Sequence, residues 1–590
     1  MATRAQSSSL KAMSTSTSTS TLAPAAIIQA ARERLAVVPD DPGALIQLGT
    51  GLLLAGEVAQ AIPPLELAVA QLTAPPVGVL LNLGAAYLMT DANERAQPLY
   101  QRVLARDPAN INALNNLGAL ALEADSPERA QRYLARCLAV APQHRDAIIN
   151  LARAERALGR RGDAIARLLP LANQPPDRAD VLAELAIILV QEGSNAYGLA
   201  AAERAIRADP AHRGALEAIV IAQAGLGRAD LALPHARRAL SLDSTDAVAR
   251  GNLVMVLQAL GHIGEALTLL DEADAAGNNT PALTQLRAVC LFTAGRYRDG
   301  TAPYRARFAV PGTHGVATKY PLPPDTTPPP PSTRVGLWGE QGVGDQIMFC
   351  SCLPPVIARH PTLAVAVDGR LAPLLQARHP TIAVLSYEQI ATGDGWSDRD
   401  YLAPLGDVLG WADPVGKTSA LALPASAKAA PHRPAVGPTV ALSWASYSPR
   451  YGQRKSPPVA ALAKLDPAGA FGWLPVQHAA PRAELDQLAR AFAGRWRPPT
   501  GLDPHQDLVG LGATMAAATL VLSVSNVTAH LAAALGLETW IMLAHGSDWR
   551  WGHGETAPWY PRVRLFRQPA PGDWDGVMAA INQALIERLS

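Results

Sequence analysis

A pattern that recurs about every 34 residues between Pro42 and Phe308 constrains the fold of this chain more than any other feature. Each unit carries an aliphatic residue followed by a small or β-branched one, at Leu48-Gly49, Leu83-Gly84, Leu117-Gly118, Leu151-Ala152, Leu185-Ala186, Ile219-Val220 and Leu253-Val254. A small residue recurs further along each unit, at Ala61, Ala96, Ala130, Ala164, Gly198, Ala232 and Ala266. Prolines follow several units, at Pro108, Pro142, Pro176 and Pro210. Because small residues let helices approach closely and proline stops a helix, the pattern predicts two helices in each unit.

Helix pairs with these spacings resemble the tetratricopeptide repeat. We identify about seven clear units and a degenerate last one, which start at Pro42, Val77, Ile111, Arg145, Ala179, Arg213, Ala247 and Pro281. A single pair leaves part of its apolar face uncovered unless a neighbour packs on it. The pairs over residues 26–308 are therefore expected to stack into an α-solenoid with a concave groove that binds a polypeptide.

Asparagine recurs at the sixth position of several units, at Asn82, Asn116, Asn150 and Asn252. The resemblance implies that this position faces the groove, where an amide can pair with the backbone of an extended peptide. The alternative is that asparagine is simply common at this position of the repeat.

The balance of charge and the cysteine content exclude several classes of protein. The 51 basic and 50 acidic residues leave a net charge of +1, so no global field recruits nucleic acid or an anionic membrane. The four cysteines form no CxxC pair and are expected to be buried free thiols in a reducing cytosol. No apolar run approaches the roughly 18 residues of a membrane span. The Ser/Thr-rich residues 1–25 lack the apolar core of a secretory signal and predict a disordered leader, so we expect a cytoplasmic protein.

The periodicity changes after a proline-rich linker at 309–332. Short apolar runs at 335–338, 363–367 and 382–385 alternate with helical segments, which predicts a parallel α/β half over residues 333–430. Further strands are predicted at 439–444, 470–475, 520–524, 539–543 and 563–566, with a last helix at about 573–589. They make up a second half over residues 431–590. Two Rossmann-like halves with a cleft between them are the GT-B arrangement of glycosyltransferases.

Three motifs in this region carry a more specific resemblance. They are Glu340-Gln-Gly-Val-Gly-Asp345, Ser523-Val-Ser-Asn-Val-Thr-Ala-His530 with the helix that follows, and Asp548-Trp-Arg-Trp551. Together they are similar to bacterial GT-B transferases that are fused to tetratricopeptide repeats and related to the heptosyltransferases. With an array of this size, the chain looks most like a flagellin glycosyltransferase. The resemblance implies transfer of a sugar, such as the nonulosonic acid pseudaminic acid, from a nucleotide-activated donor of the CMP-linked kind to Ser or Thr of flagellin.

Asp345 is the candidate catalytic base. A hydroxyl acceptor is a poor nucleophile near pH 7, and a carboxylate beside a glycine turn can accept its proton. Asp345 also matches the residue proposed as base in the heptosyltransferase relatives. The alternative is that Asp345 caps the following helix, where a carboxylate meets free backbone N–H groups.

The donor phosphate requires backbone amides and cations. Ser525 and Asn526 precede a helix whose N-terminus can supply the amides, and His530 lies one turn into it. A core histidine is the alternative for His530. Many relatives have aspartate at the position of Ser525; its absence is compatible with an anionic sugar, which a carboxylate would repel.

A second group of donor-binding candidates follows the strand at 439–444. Ser443 ends this strand, and Arg454 and Lys455 lie in the basic loop after it, where they could offset charge on the leaving phosphate. Lys455 matches a lysine that lies near the donor phosphates in the family. A solvated surface loop is the alternative. Gln477 ends the next strand and is a candidate contact to the base or ribose.

The motif region contains no Asp-x-Asp triad and no His/Cys cluster with metal-ligand spacing. We therefore expect a metal-independent enzyme whose nucleotide-sugar is a co-substrate, with no cofactor. Two alternatives remain open at this stage. One is a non-catalytic repeat scaffold or chaperone with a degenerate transferase domain, and the other is a transferase that acts on glycan or lipid acceptors.

Overall fold

The computed structural model describes residues 23–310, 320, 322–391, 396, 398–412, 419–431, 437–447, 452–546, 548–552 and 554–589. Most of the predicted leader and residues 311–319 of the predicted linker lie outside these ranges. The chain divides into two compact units, Met1–Ile219 and Val220–Ser590, and each is described by itself.

Paired helices follow an initial helix in the repeat region, and the first helix of every pair begins at the predicted unit start. The helices are α1 (Pro24–Val37), α2 (Pro42–Leu54), α3 (Val58–Gln71), α4 (Val77–Met89), α5 (Asn93–Arg106), α6 (Ile111–Glu123), α7 (Pro127–Val140), α8 (Arg145–Ala157), α9 (Arg161–Ala172), α10 (Ala179–Gln191), α11 (Asn195–Ala208), α12 (Arg213–Gly225), α13 (Ala229–Leu242), α14 (Ala247–Ala259), α15 (Ile263–Ala275), α16 (Pro281–Thr293) and α17 (Tyr297–Tyr304). The predicted helical repeat array is therefore confirmed.

Two local features make the repeats regular. The turn inside each pair contains one residue with a left-handed backbone: Gly56, Asp91, Asp125, Gly159, Gly193, Gly227, Gly261 and Gly295. Such a residue ends the first helix of the pair. The small residue after the recurring aliphatic position lets the second helix approach, since a Cβ added at Gly118 would lie 2.5 Å from the side chain of Leu134.

The residues after the repeats form two parallel sheets. The first contains β1 (Val335–Trp338), β2 (Ala364–Val367), β3 (Ala383–Ser386) and β4 (Tyr401–Pro404), in the order β3-β2-β1-β4. The second contains β5 (Thr439–Ser443), β6 (Gly472–Pro475), β7 (Leu520–Val524), β8 (Thr539–Leu543) and β9 (Val563–Arg567), in the order β6-β5-β7-β8-β9. The predicted α/β class with parallel sheets is confirmed, but β4 was not predicted, because a short run that ends in proline carries a weak strand signal.

Helices and short turns connect the strands. They are α18 (Val343–Cys350), α19 (Leu353–Arg359), α20 (Ala372–Arg378), α21 (Tyr387–Ala391), α22 (Val408–Trp411), α23 (Gly452–Lys455), α24 (Val459–Leu462), α25 (Arg482–Ala491), α26 (Leu508–Ala516), α27 (Val527–Ala534) and α28 (Trp574–Leu589). None of the helices in the described ranges is both long and apolar enough to cross a membrane.

The hydrophobic core of the second unit continues from the last repeat into the sheets. One cluster of buried side chains contains Phe292 of α16 and Tyr304 of α17 together with residues of both sheets, such as Leu337 and Ile541. The described end of the linker packs on the first sheet region as well, since Trp411 Nε1 donates to the carbonyl of Thr326 (2.9 Å). The last repeat is thus part of the body that holds the α/β strands.

Candidate functional site

Asp345 lies in the first turn of α18, which follows β1 and its glycine turn. The helix begins after Gly342, whose position has no side-chain cap. Oδ1 of the Asp345 carboxylate accepts a hydrogen bond from Arg550 Nε at 2.6 Å. Its carboxylate is therefore engaged by a cation from the opposite half rather than by a side-chain cap of α18.

Arg550 belongs to a chain of alternating charges that crosses from the first half to the second. Its Nη1 lies 3.5 Å from Asp548 Oδ1, and Asp548 Oδ2 lies 3.4 Å from Lys455 Nζ. Burial opposes ionisation of Asp548, but the two neighbouring cations outweigh it and hold the pKa of Asp548 well below its ordinary value. The chain Asp345–Arg550–Asp548–Lys455 thus contains two carboxylates and two cations.

Ser525 and His530 adjoin this ionic chain. Lys455 Nζ and Trp551 Nε1 both donate to Ser525 Oγ, at 3.3 and 2.9 Å. The imidazole of His530 stacks on Trp551 with ring centroids 4.4 Å apart, and its Nδ1 lies 3.0 Å from the hydroxyl of Tyr560. Burial lowers the pKa of His530 to about 4. The imidazole is therefore neutral at pH 7, and it packs as a core residue beside the first turn of α18.

Three of the predicted donor ligands form a hydrogen-bond network at the ends of β5 and β7. Ser443 Oγ donates to Gln477 Oε1 (3.0 Å), which also accepts from the backbone N–H of Trp444 (2.8 Å). Asn526 Nδ2 donates to Ser443 Oγ (2.9 Å), and its Oδ1 accepts from the N–H of Ala529 at the start of α27 (3.2 Å). These side chains therefore hold the strand ends together and position the start of α27.

Arg454 lies apart from the other candidates. Its Nη2 donates to the carbonyl of His545 at 2.5 Å, and its side chain passes next to Gly227 in the turn between α12 and α13. The structure therefore brings Asp345, Lys455, Ser525 and His530 together, while Arg454 links the second sheet region to a repeat turn.

The asparagines of the repeats differ in exposure. Asn82 is half-buried and its Nδ2 donates to Thr50 Oγ1 (3.3 Å), and Asn116 is also half-buried. Asn150 and Asn252 are buried, and Asn150 Nδ2 donates to the side chain of Asn115 (3.2 Å). Asn82 and Asn116 are consequently the more accessible of the four.

Sequence reasoning missed the support that the last repeat gives to this site. Phe292 contacts the ring of Trp549, next to Arg550, with centroids 4.9 Å apart. Arg307, fully buried after α17, forms an ion pair with both oxygens of Glu340, at the start of the glycine turn. The aromatic residues of the last repeat unit are the sequence feature that could have predicted its packing on this site. Among the residues that the structure describes, no group of His, Cys, Asp and Glu side chains is arranged to hold a metal ion.

The comparisons with known proteins support the repeats directly. A model of the tetratricopeptide repeat family matches residues 121–188 and 223–290. Protein FlbA of Caulobacter vibrioides is 26% identical over 461 residues, which are 74% of this chain and 72% of that protein. Because this share is larger than the repeat array, the similarity extends into the α/β region.

Solved structures also match part of the chain. A tetratricopeptide repeat protein from Parabacteroides merdae is 17% identical, covers 42% of this chain and 98% of its own, and has a TM-score of 0.37. PilF of Pseudomonas aeruginosa is 19% identical, covers 35% of this chain and 95% of its own, and has a TM-score of 0.30. The family match and the helix pairs show N-terminal tetratricopeptide repeats, a fold that typically binds other proteins, and a parallel α/β region follows them.

Proposed function

We propose that this chain is a protein O-glycosyltransferase of GT-B type. The observation that carries the proposal is the pairing of Asp345, in the first half, with the cationic cluster of Lys455 and Arg550 in the second. A carboxylate that can accept a proton and cations that can hold a leaving phosphate then lie at the carboxyl ends of two parallel sheets. Ligands bind at that edge in open α/β sheets.

The proposed reaction uses few groups. A Ser or Thr hydroxyl oxygen of the acceptor attacks the anomeric carbon of the donor, the bond from that carbon to the phosphate oxygen breaks, and the hydroxyl proton passes to Asp345. The nucleotide leaves with the bonding electrons, and Lys455 offsets its charge. The repeats hold the acceptor polypeptide, with Asn82 and Asn116 as the accessible amides.

The neutral side chain of Ser525 supports an anionic donor. Ser525 accepts from Lys455, whereas an aspartate at this position would pair with that cation and repel an anionic sugar. A CMP-linked nonulosonic acid fits this arrangement better than a neutral hexose. We propose flagellin as the acceptor because the three motifs resemble those of flagellin glycosyltransferases.

The test is the intact mass of flagellin from cells that carry the wild-type chain, Asp345→Asn or no chain. We expect a mass increment of one or more sugars with the wild-type chain alone, and we expect Asp345→Asn to bind flagellin as the wild type does. A matched control is Asp368→Asn, since Asp368 lies after β2 of the same sheet but pairs with Arg370. An increment that persists with Asp345→Asn would contradict the role of the base.

A repeat scaffold with a degenerate transferase domain is the second candidate. It is favoured because the side chains of Ser443, Gln477 and Asn526 hydrogen-bond to one another and are thereby engaged within the protein rather than directed to a ligand. The scaffold predicts flagellin binding with no mass increment from any variant, and no binding of nucleotide by the purified chain.

A further inference from the structure

We propose that Arg550 binds the phosphate of the nucleotide donor and that, before the donor arrives, it holds Asp345 in an ion pair that keeps this carboxylate from acting as a base. The inference rests on the proposed function, since it assigns Arg550 of the same site two successive partners and gives the order in which the site is filled.

The contacts of Arg550 decide which of its two partners can leave. Asp548 lies two residues away in the same loop and accepts the backbone N–H of Arg550 at 3.1 Å, so these two residues move together. Asp345 belongs to α18 of the first half and contacts Arg550 through the side chains alone. The contact with Asp345 is consequently the one that can be exchanged for another anion.

The balance of charges in the chain Asp345–Arg550–Asp548–Lys455 gives the reason for an exchange. Asp345 and Asp548 balance Arg550 and Lys455, and His530 is neutral at pH 7. A nucleotide phosphate adds negative charge, and a guanidinium binds phosphate oxygens with two parallel N–H donors. The side chain of Arg550 is 28% exposed, so a phosphate can reach it from solvent. When Arg550 turns to the phosphate, Asp345 loses its cation and becomes available to accept a proton.

The exchange predicts an effect of Asp345 on the affinity for the nucleotide, which a base without an ion pair to Arg550 would not have. In the wild-type protein the phosphate competes with Asp345 for Arg550. Asp345→Asn removes the competitor, and we expect it to tighten binding of the nucleotide, although it removes a residue of the site. The gain should lie between about twofold and about fivefold, because an ion pair of this exposure changes an equilibrium constant by at most about fivefold.

The experiment is a double-mutant cycle on the full chain, measured by isothermal titration calorimetry with CMP as probe and UDP as second probe. The four proteins are the wild type, Asp345→Asn, Arg550→Gln and the double variant. We expect Asp345→Asn to bind more tightly, Arg550→Gln to bind more weakly, and the double variant to bind like Arg550→Gln. Asp368→Asn serves as control for the loss of one negative charge in the same half and should change the affinity by less than about twofold.

The outcomes separate the inference from the proposed function. Equal affinity of Asp345→Asn and wild type, or a gain that persists without Arg550, would overturn the exchange but leave the transferase in place. Failure of the wild type to bind either nucleotide would overturn the proposed function. Circular dichroism checks the fold of each variant; if Arg550→Gln does not fold, the neutral Arg550→Met replaces it, and an undiminished gain in that background would contradict the inference.

Discussion

Removing the buried guanidinium of Arg307 should destabilise the second unit more than any exposed charge does. Arg307 Nε donates to Glu340 Oε2 at 2.6 Å, and its Nη1 donates to the carbonyl of Tyr304 at 2.6 Å. The guanidinium lies between the rings of Tyr304 and Phe308, at 3.9 and 4.1 Å from their centroids. Glu340 also accepts the backbone N–H of Gly406 at 3.0 Å.

Arg307→Met leaves the Glu340 carboxylate buried without its cation. Breaking a buried pair from one side costs about 3 to 5 kcal/mol. In Arg307→Met/Glu340→Gln the charge is gone, and the glutamine oxygen can still accept from Gly406. The free energy of unfolding of the double variant should therefore recover by about 1 to 3 kcal/mol relative to Arg307→Met.

The assay is urea denaturation followed by tryptophan fluorescence. All 11 tryptophans lie between Trp338 and Trp574, so the signal reports the second unit. The matched control is Arg334→Met, because Arg334 pairs with Asp400 at the surface, with side chains 49% and 50% exposed. That variant should cost less than about 1 kcal/mol. A cost of Arg307→Met no larger than that of Arg334→Met would refute the reasoning.

Two further predictions concern pH and packing. Because burial lowers the pKa of His530 from 6.5 to about 4, the unfolded state takes up its proton first. The contribution of neutral His530 to the free energy of unfolding is complete above pH 6.5 and is lost as the pH falls towards 4, by at most about 3 kcal/mol. In urea unfolding, His530→Gln should therefore make the free energy of unfolding depend less on pH between 6.5 and 4. An unchanged slope would contradict this prediction. Gly118→Ala should destabilise the packing of α6 on α7 by about 1 to 3 kcal/mol, because the new Cβ would clash with the side chain of Leu134. The control is Gly162→Ala in α9, which should be neutral or slightly stabilising because its new Cβ would meet no other atom. Hydrogen exchange of peptides from these helices measures both, and equal protection in the two variants would refute the packing argument.

The local patterns predicted the repeats best. Every first helix starts at a predicted unit boundary, because the spacing of small residues and prolines acts within one helix pair and its turn. The strands with continuous apolar runs were also predicted, with bounds that differ by one or two residues: the third strand is Ala383–Ser386 and the sixth starts at Gly472. The strand Tyr401–Pro404 was missed, because it is partly exposed and is identified only by its pairing with β1.

The candidate site was predicted in part. Lys455, Ser525 and His530 follow strands of the second sheet, whose carboxyl ends share one edge, and Asp345 follows a strand of the first sheet and joins them through Arg550. Arg454 does not join them, because its side chain reaches the carbonyl of His545 instead. Local sequence carries no information about which of two adjacent basic side chains turns to the cleft.

The sequence by itself determined the class of each part of the chain: helix pairs where small residues recur, parallel strands where apolar runs alternate with helices, and a glycine turn that presents Asp345. Only the tertiary structure decided what Asp345 contacts. Its partner Arg550 is 205 positions away along the chain, and the last repeat supports both residues through Arg307 and Phe292. Local patterns follow from the backbone geometry of a few residues, whereas contacts between distant residues depend on how the complete elements pack and on which charges that packing brings together.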